Sequence, residues 1–325
     1  MKRTRFLVVV ASMTVALCGD LARAESTYPN RAVRYIVAFP PGGASDIVAR
    51  IVADALTERF GQQVVVDNRS GASGTIGADL AAHATPDGYT LFACNIASLA
   101  VSPALYRKLG YDSEHDFAPV GLVGSNPNAL SVNPTVPSTS VAEFVALAKS
   151  QPGKLNYASA GVGTSPQLSM ELFKMKTHID VTHIPYRGIG AALIDLMAGQ
   201  VQAMFSTVPS IIGPTRSGKI RTLGVTSLTR TPDLPDVPTM AEVGIPDYEV
   251  ISWQGLCTPA GVPKPILAKL RAGLAAALAS PETSKRLIDQ GFQIKALSGE
   301  KFGAFIRAEH TKWGKLVRDV GIPQN

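Results

Sequence analysis

Hydrophobic positions along this chain follow two alternating patterns. Short runs rich in β-branched and aromatic residues are separated by stretches with hydrophobic residues at helical spacing. The strand-like runs are 33–39, 63–67, 90–93, 155–159, 181–185, 201–205 and 222–226. Strands that alternate with helices usually lie side by side in parallel sheets. The pattern therefore predicts an α/β fold with layered, largely parallel sheets.

Several helices have well-marked faces or ends. The first helix is amphipathic, because its hydrophobic residues fall on one face: Ile47, Val48, Ile51, Val52, Ala55 and Leu56. A second helix is predicted to begin with Ser165 as its N-cap and Pro166 at its first position, where proline loses no hydrogen bond. A third, over 191–198, is predicted to end at Gly199.

The chain has 325 residues, enough for two domains of about 100–200 residues each. Segments rich in Pro, Ser and Thr at 126–140 and 231–246 are the expected crossings between them. Two crossings make one domain discontinuous. We expect domain one to comprise residues 25–125 plus 248–325, and domain two residues 126–247. A cleft beside such a hinge can close around a ligand.

Residues 1–24 have the pattern of a signal peptide. Basic residues come first, residues 6–19 are almost entirely apolar, and Ala22-Arg23-Ala24 offers small residues for cleavage before Glu25. The apolar stretch is too short to span a bilayer of about 30 Å, and no later stretch approaches the roughly 20 apolar residues of a membrane helix. Export to the periplasm is therefore expected.

Two cysteines, Cys94 and Cys257, follow the signal peptide. An oxidising compartment permits a disulfide. Cysteine pairs also commonly stay unpaired, and the sequence does not place these Cα atoms within the roughly 4.4–6.8 Å that a bridge requires. Unpaired thiols are the expectation, with a disulfide as the alternative.

Two glycine-rich junctions join a predicted strand to a predicted helix. The first contains Phe39, Pro41, Gly42 and Gly43, and the second runs through 159–165. Glycines let a ligand approach the backbone, and free N–H groups at a helix start attract anions. One such junction in each predicted domain indicates a clamp for an anion.

Three other loops are weaker candidates. The loop 185–188 carries Tyr186 and Arg187; Arg187 is expected to be an exposed surface charge, with a carboxylate contact as the alternative. Ser206 and Thr207 end a strand, where ligands of parallel sheets bind. The run 71–77 imitates a dinucleotide loop with the wrong glycine spacing, and we interpret it as a packed turn that could face the cleft.

Composition and motifs exclude several classes of function. The net charge is +6, but the signal peptide carries four basic residues and one acidic residue, so half of that excess leaves with it. No long basic run with interleaved aromatics indicates nucleic-acid binding. GxSxG, HExxH and EF-hand motifs are absent, and the five histidines lack metal-ligand spacing. We expect no catalytic residue, metal or cofactor.

The chain also carries short motifs spread from residue 39 to residue 256. They read FPPGG (39–43) with Asp46, GQQVVVDNR (61–69), PDGYTL (86–91), PYRG (185–188), GQV (199–201), VTS (225–227), LPDVPT (234–239) and WQGL (253–256). In this order they resemble the receptor proteins of tripartite tricarboxylate transporters, also called the Bug family of periplasmic receptors. The resemblance covers nearly all of the chain after residue 24.

This resemblance implies a two-domain, periplasmic-binding-protein-like clamp of type II, with the ligand in the interdomain cleft. It implies a monomeric receptor that delivers a small carboxylate to a membrane permease of one large and one small subunit. The cargo in such proteins includes citrate-like acids, dicarboxylates, acidic amino acids and aromatic carboxylates. The alternatives are a receptor that presents its closed form to a sensor protein, and an exported α/β hydrolase or lyase.

The resemblance also assigns the ligand contacts. In domain one they are Phe39, Pro41, Gly42, Gly43, Asp46 and Asn95. In domain two they are Ser159, Gly161, Gly163, Thr164, Ser165, Pro185, Tyr186, Gly188, Ser206 and Thr207. Gln167 stands where the family frequently has histidine, and Cys94-Asn95 replaces a commoner small or hydroxyl pair. Ligand identity therefore does not transfer from a relative.

Overall fold

The computed structural model describes residues 28–322, where strands and helices alternate as predicted. The strands are β1 (Val33–Val37), β2 (Val64–Asn68), β3 (Thr90–Asn95), β4 (Phe117–Val132), β5 (Asn156–Ser159), β6 (Thr182–Pro185), β7 (Ala203–Thr207), β8 (Arg221–Val225), β9 (Ile251–Pro259) and β10 (Leu297–Ser298). Every strand predicted from the sequence is present. The predicted signal peptide, residues 1–24, lies outside the described residues.

The helices up to residue 216 lie in the intervals between predicted strands, and three further helices follow β9. They are α1 (Ala44–Phe60), α2 (Thr75–Ala82), α3 (Ser102–Leu105), α4 (Val141–Ser150), α5 (Ser165–Thr177), α6 (Ile189–Met197), α7 (Val208–Arg216), α8 (Lys264–Ala279), α9 (Pro281–Asp289) and α10 (Glu300–Asp319), with a 3₁₀ turn (Ala72–Gly74) and a π-helix (Ile96–Val101). No helix within residues 28–322 combines the length and hydropathy needed to cross a membrane.

The strands form one sheet with a parallel group at each end. The order is β2-β1-β3-β9-β4-β7-β5-β6, and β8 and β10 also pair with β4. Strands β2, β1 and β3 are parallel and form the first sheet half, and β7, β5 and β6 are parallel and form the second sheet half. Between them, β9 and β4 run antiparallel to their neighbours. The α/β prediction is confirmed, but β4, β9 and the short β10, which pairs antiparallel with β4, were missed.

Strand β4 connects the two sheet halves. Its residues 117–127 pair with β9, and its residues 128–132 pair with β7 and β8. Proline and glycine weaken strand propensity, and β4 contains Pro119, Gly121, Gly124 and Pro127, so the sequence did not indicate a strand. Register shifts near Pro119 and Gly124 accommodate these residues. The predicted crossing 126–140 begins inside β4, and the domain limits stay a prediction.

Helix α1 buries the predicted face, including Val48, Ile51, Val52 and Leu56, against the first sheet half. The start of α5 differs by one residue from the prediction. Its N-cap is Thr164, and Ser165 is already helical. The Ser165 hydroxyl donates instead toward Asn128 Oδ1 at 3.4 Å, so the predicted N-cap was wrong.

Cys94 and Cys257 form a disulfide, with their Cα atoms 5.9 Å apart. Both residues are fully buried, and the bridge joins the adjacent strands β3 and β9. The expectation of unpaired thiols was wrong because strand β9, which carries Cys257 next to β3, was not recognised. Since 163 residues separate the two cysteines, the bridge closes a long loop of the chain.

Candidate functional site

A cavity of about 470 Å³ lies between the two sheet halves. Its walls are loops that follow the carboxyl ends of five parallel strands: 39–45 after β1, 95–97 at the end of β3, 160–166 after β5, 187–191 after β6, and Thr207 at the end of β7. Parallel sheets place ligands at this edge of their strands. The topology therefore brings loops that are distant in sequence to a single site.

Four helices begin at the cavity wall. Their N-cap residues are Gly43 for α1, Thr164 for α5, Gly188 for α6 and Thr207 for α7, and all four line the cavity. None of these N-cap side chains accepts a hydrogen bond from the first turn of its helix. These side chains therefore leave the first-turn N–H groups, which have no partner within a helix, available to a ligand, except at Pro166 and Pro209, which carry no N–H. Together with the helix dipoles they favour an anion.

The π-helix beside the cavity is capped differently. The Asn95 side chain accepts a hydrogen bond from Ser98 N–H at 3.1 Å, and the Ser98 hydroxyl accepts one from Asn95 N–H. Because its own side chains satisfy these groups, this helix start is less available to a ligand. Asn95 Nδ2 also donates to Ser45 Oγ at 3.3 Å, and the Ser45 hydroxyl donates to Gln254 Oε1 at 2.8 Å.

Asp46 fixes the first glycine loop, 39–43, through hydrogen bonds. It is 3% exposed, and its carboxylate accepts hydrogen bonds from Gly42 N–H at 2.9 Å, Asn68 Nδ2 at 2.9 Å and Arg50 Nε at 3.0 Å. Burial raises the pKa of Asp46, but the hydrogen bonds from Arg50, Gly42 and Asn68 outweigh it and leave the pKa below its ordinary value. Asn68 also donates to the Phe39 carbonyl at 3.0 Å, so both ends of the loop are fixed.

The second glycine loop rests on a chain of polar side chains. Gly163 N–H donates to Gln167 Oε1 at 2.6 Å, and Gln167 Nε2 lies 3.3 Å from His183 Nδ1. His183 Nε2 lies 2.7 Å from Ser159 Oγ, which contacts the Gly161 carbonyl at 3.1 Å. Burial lowers the pKa of His183 to about 4, so the imidazole is neutral at pH 7.

The structure brings many of the predicted contacts to the cavity wall. The wall includes Phe39, Pro41, Gly42, Gly43, Asn95, Thr164, Ser165, Gly188 and Thr207. It also includes residues that sequence reasoning missed, notably Ser45, Ser252 and Gln254. Ser252 and Gln254 come from β9, whose position between β3 and β4 has no local signal. The WQGL motif, which contains Gln254, was the one available indication.

Other predicted contacts lie behind the wall. Asp46 and Ser159 make the hydrogen bonds described above and do not line the cavity. A side chain at Gly163 would meet Leu105 at 2.5 Å, so this glycine packs against α3. Ser206 is fully buried inside β7, and its hydroxyl has no hydrogen-bond partner within residues 28–322. Pro185 ends β6 away from the wall.

A neighbouring cavity of about 400 Å³ shares Phe39, Pro40, Ala160, Arg187 and Gly188 with the first. It is lined by Gly161, Tyr186 and the turn 70–74, so part of the run interpreted as a packed turn faces this space. The Tyr186 hydroxyl donates to Asp195 Oδ2 at 2.6 Å. This hydrogen bond is the main cause that raises the pKa of Tyr186 to about 12.

Charge in the main cavity comes from one side chain. Arg187 is exposed, as expected, yet it also lines the cavity. No Asp or Glu side chain lines this wall within the described part of the chain. Within the same residues, no group of three His, Cys, Asp or Glu side chains could hold a metal ion. The electrostatics of the wall therefore favour an anionic ligand.

Known proteins resemble this chain over most of its length. A sequence profile described as "Tripartite tricarboxylate transporter family receptor" matches residues 48–322. Protein BugT of Bordetella pertussis is 36% identical over 99% of both chains. Among solved structures, R. palustris Rpa4515 with adipate is 36% identical, with a TM-score of 0.88 over 92% of this chain and 100% of that one. MatC (Rpa3494) from Rhodopseudomonas palustris with bound malate is 33% identical, with a TM-score of 0.84 over 89% and 100%.

Proposed function

Because the chain belongs to the tripartite tricarboxylate transporter receptor family, as its motifs predicted, we propose that it is a periplasmic receptor that holds a small carboxylate in the cavity between its sheet halves. The family and the similar structures are solute-binding receptors rather than enzymes, which excludes the exported hydrolase or lyase. The similar proteins with adipate and with malate support a dicarboxylate as the cargo.

The observation that carries this proposal is the convergence of four helix starts on one cavity. Their N-cap side chains leave the first-turn N–H groups unbound, and Arg187 adds a positive charge at the wall. A carboxylate accepts several such hydrogen bonds at once. A volume of about 470 Å³ lies within the range of about 300–1,000 Å³ that is typical of small-molecule sites.

The assignment of residues follows their position. Direct contact with the ligand is assigned to the predicted residues on the wall: Phe39, Pro41, Gly42, Gly43, Asn95, Thr164, Ser165, Gly188 and Thr207. The other predicted residues are assigned to support or to the rim: Asp46, Ser159, Gly161, Gly163, Pro185, Tyr186 and Ser206. Closure would bring the predicted domains, 25–125 plus 248–325 and 126–247, together around the ligand.

The wider transport role is part of the same proposal. After cleavage before Glu25, the exported receptor would act as a monomer and pass its cargo to a membrane permease of one large and one small subunit. The family description, which names a tripartite tricarboxylate transporter, supports a transporter as the partner. A ligand that binds the closed state more tightly than the open state shifts the population toward the closed state. The permease would recognise this closed, ligand-bound form of the receptor.

A charge placed on the cavity wall tests the proposal. Gly190 lines the cavity, and a side chain there would meet no atom within 4 Å of its Cβ. Gly190→Glu should weaken binding of adipate or malate by at least about tenfold, because like charges a few ångströms apart repel by more than 1.4 kcal/mol. Gly190→Gln has nearly the same shape and should bind far better than the Glu variant.

The measurement is a thermal-shift screen of the chain from Glu25, followed by calorimetry. A dicarboxylate at 100 times its Kd should stabilise the protein by about 2.7 kcal/mol. The neutral diols of the same length should give no shift. Equal shifts with acids and diols, or equal affinities of the two Gly190 variants, would contradict the anion site.

A further inference from the structure

The polar chain behind the second glycine loop has a defined hydrogen-bond direction. Because Gly163 N–H can only donate, Gln167 must present Oε1 to it and Nε2 to His183. His183 Nδ1 then accepts, which places the ring proton on Nε2. The His183 Nε2–H group donates to Ser159 Oγ, and the Ser159 hydroxyl donates to the Gly161 carbonyl. The contact between Gln167 Nε2 and His183 Nδ1 is satisfied only while His183 is neutral.

The surroundings of His183 keep it neutral and fixed. Its ring stacks on Tyr157, with the ring centres 4.7 Å apart and the planes 16° from parallel. Burial lowers its pKa to about 4; Glu171 acts in the opposite direction, and Lys174 in the same direction. The charges of these two α5 side chains offset each other, since Lys174 Nζ lies 3.1 Å from a Glu171 oxygen. The Tyr157 hydroxyl also donates to Glu171, at 2.5 Å.

The second glycine loop, which these polar side chains hold, adjoins the cavity directly. Gly161 and Gly163 have φ values of 129° and 78°, which non-glycine residues rarely adopt, so the loop has an unusual backbone that needs outside support. Thr164, the last residue of the loop and the N-cap of α5, and Ser165, the first residue of α5, both line the cavity. A shift of the loop would move the α5 N–H groups relative to a ligand.

We propose that Gln167, His183 and Ser159 are positioning residues that fix the glycine loop 160–164 and thereby set the affinity for a carboxylate. The affinity part rests on the proposed function; the loop part does not. None of the three side chains lines the cavity, so each acts through the backbone of Gly161 and Gly163. Protonation of His183 would turn Nδ1 into a donor facing the donor of Gln167, and the chain would break there.

The test compares two Gln→Met variants. Gln167→Met leaves Gly163 N–H without its acceptor. Gln202→Met is the matched control, because Gln202 Oε1 likewise accepts a backbone hydrogen bond, from Asn156 N–H at 2.8 Å, at the opposite end of β5. Amide hydrogen exchange of the ligand-free protein should rise over 160–166 in Gln167→Met only. The Kd for adipate or malate should rise about tenfold in that variant, the factor given by 1.4 kcal/mol.

The two readouts separate the loop from the function. Unchanged exchange over 160–166 in Gln167→Met would overturn the positioning role whatever the protein binds. Increased exchange with an unchanged Kd would overturn the link to affinity. Increased exchange in a protein that binds no carboxylate would leave the positioning role standing and refute the proposed function.

A pH profile adds a signature that general destabilisation lacks. The ordered loop needs neutral His183, with its pKa near 4, whereas a displaced loop would return it toward its ordinary value of 6.5. Affinity should therefore fall as the pH drops from about 6.5 to about 4. In His183→Gln this part of the profile should be flatter, while protonation of the ligand affects both proteins equally. Identical profiles would overturn the role of His183.

Discussion

Replacing Asp46 by asparagine tests how the first glycine loop is held. The carboxylate accepts from Gly42 N–H and Arg50 Nε through one oxygen, and from Asn68 Nδ2 and an Arg50 terminal nitrogen through the other. Asparagine keeps the shape but turns one of these oxygens into an NH₂ donor. Either Gly42 N–H or Asn68 Nδ2 must then face another donor.

The expected cost follows from these contacts. A buried donor left without an acceptor costs about 1–3 kcal/mol. The Arg50 side chain is 52% exposed, so loss of that ion pair adds no more than about 1 kcal/mol. The variant should thus lose about 1–4 kcal/mol of unfolding free energy. Because the loop carries Gly42 and Gly43 to the cavity wall, it should also bind the carboxylate more weakly.

The same contacts fix the pH dependence. The pKa of Asp46 is lowered in the folded protein, so its stabilising effect is complete above the unfolded pKa of about 3.9 and is lost as the pH falls through the folded value. Asp46→Asn lacks this effect at every pH. The stability gap between the wild type and the variant should therefore be constant at neutral pH and close below about pH 4.

Urea denaturation at pH 7 and at pH 3 measures the difference in unfolding free energy between the wild type and Asp46→Asn. Asp54→Asn is the matched control in the same helix, because Asp54 is 62% exposed and pairs with a half-exposed Arg286. That change should cost less than about 0.5 kcal/mol. If Asp46→Asn is no less stable than Asp54→Asn at pH 7, or if its deficit persists unchanged at pH 3, the account of the loop is refuted.

Two further predictions concern the disulfide and the cavity charge. The double variant Cys94→Ala/Cys257→Ala should lose about 2–5 kcal/mol of stability, as measured by denaturation, because the bridge closes a loop of 163 residues; a loss equal to that of a surface variant would contradict this. Arg187→Gln should weaken carboxylate binding by no more than about fivefold, because the charge is exposed, and the difference should shrink in 1 M salt; a salt-independent difference would contradict the electrostatic role.

The parallel parts of the fold could be predicted from the sequence because their signals are local. Hydrophobic runs separated by amphipathic helices identify β1, β2, β3, β5, β6, β7 and β8 directly. Strands β4 and β9 were not predicted, because they pair with segments distant in the sequence. The prolines and glycines of β4 also weaken its local strand signal. The disulfide was missed for the same reason, since only the pairing of β3 with β9 brings Cys94 to Cys257.

The candidate site likewise has features that the sequence could predict and features that it could not. The glycine loops were recognisable because strand, glycine and helix start are consecutive in the sequence. The direction of a side chain was not recognisable, because it depends on partners elsewhere. Asp46 faces Asn68 rather than the cavity, and Ser159 faces His183. Ser45 and Gln254 meet at the wall although 209 residues separate them.

A crystal structure of the protein from Glu25 with a saturating linear dicarboxylate would test the central claim most directly. The account predicts a carboxylate group within hydrogen-bonding distance of backbone N–H groups at the starts of α1 and α5, with Asp46 still bound to Gly42. A ligand bound at another surface, or one whose carboxylates contact none of the four helix starts, would contradict it.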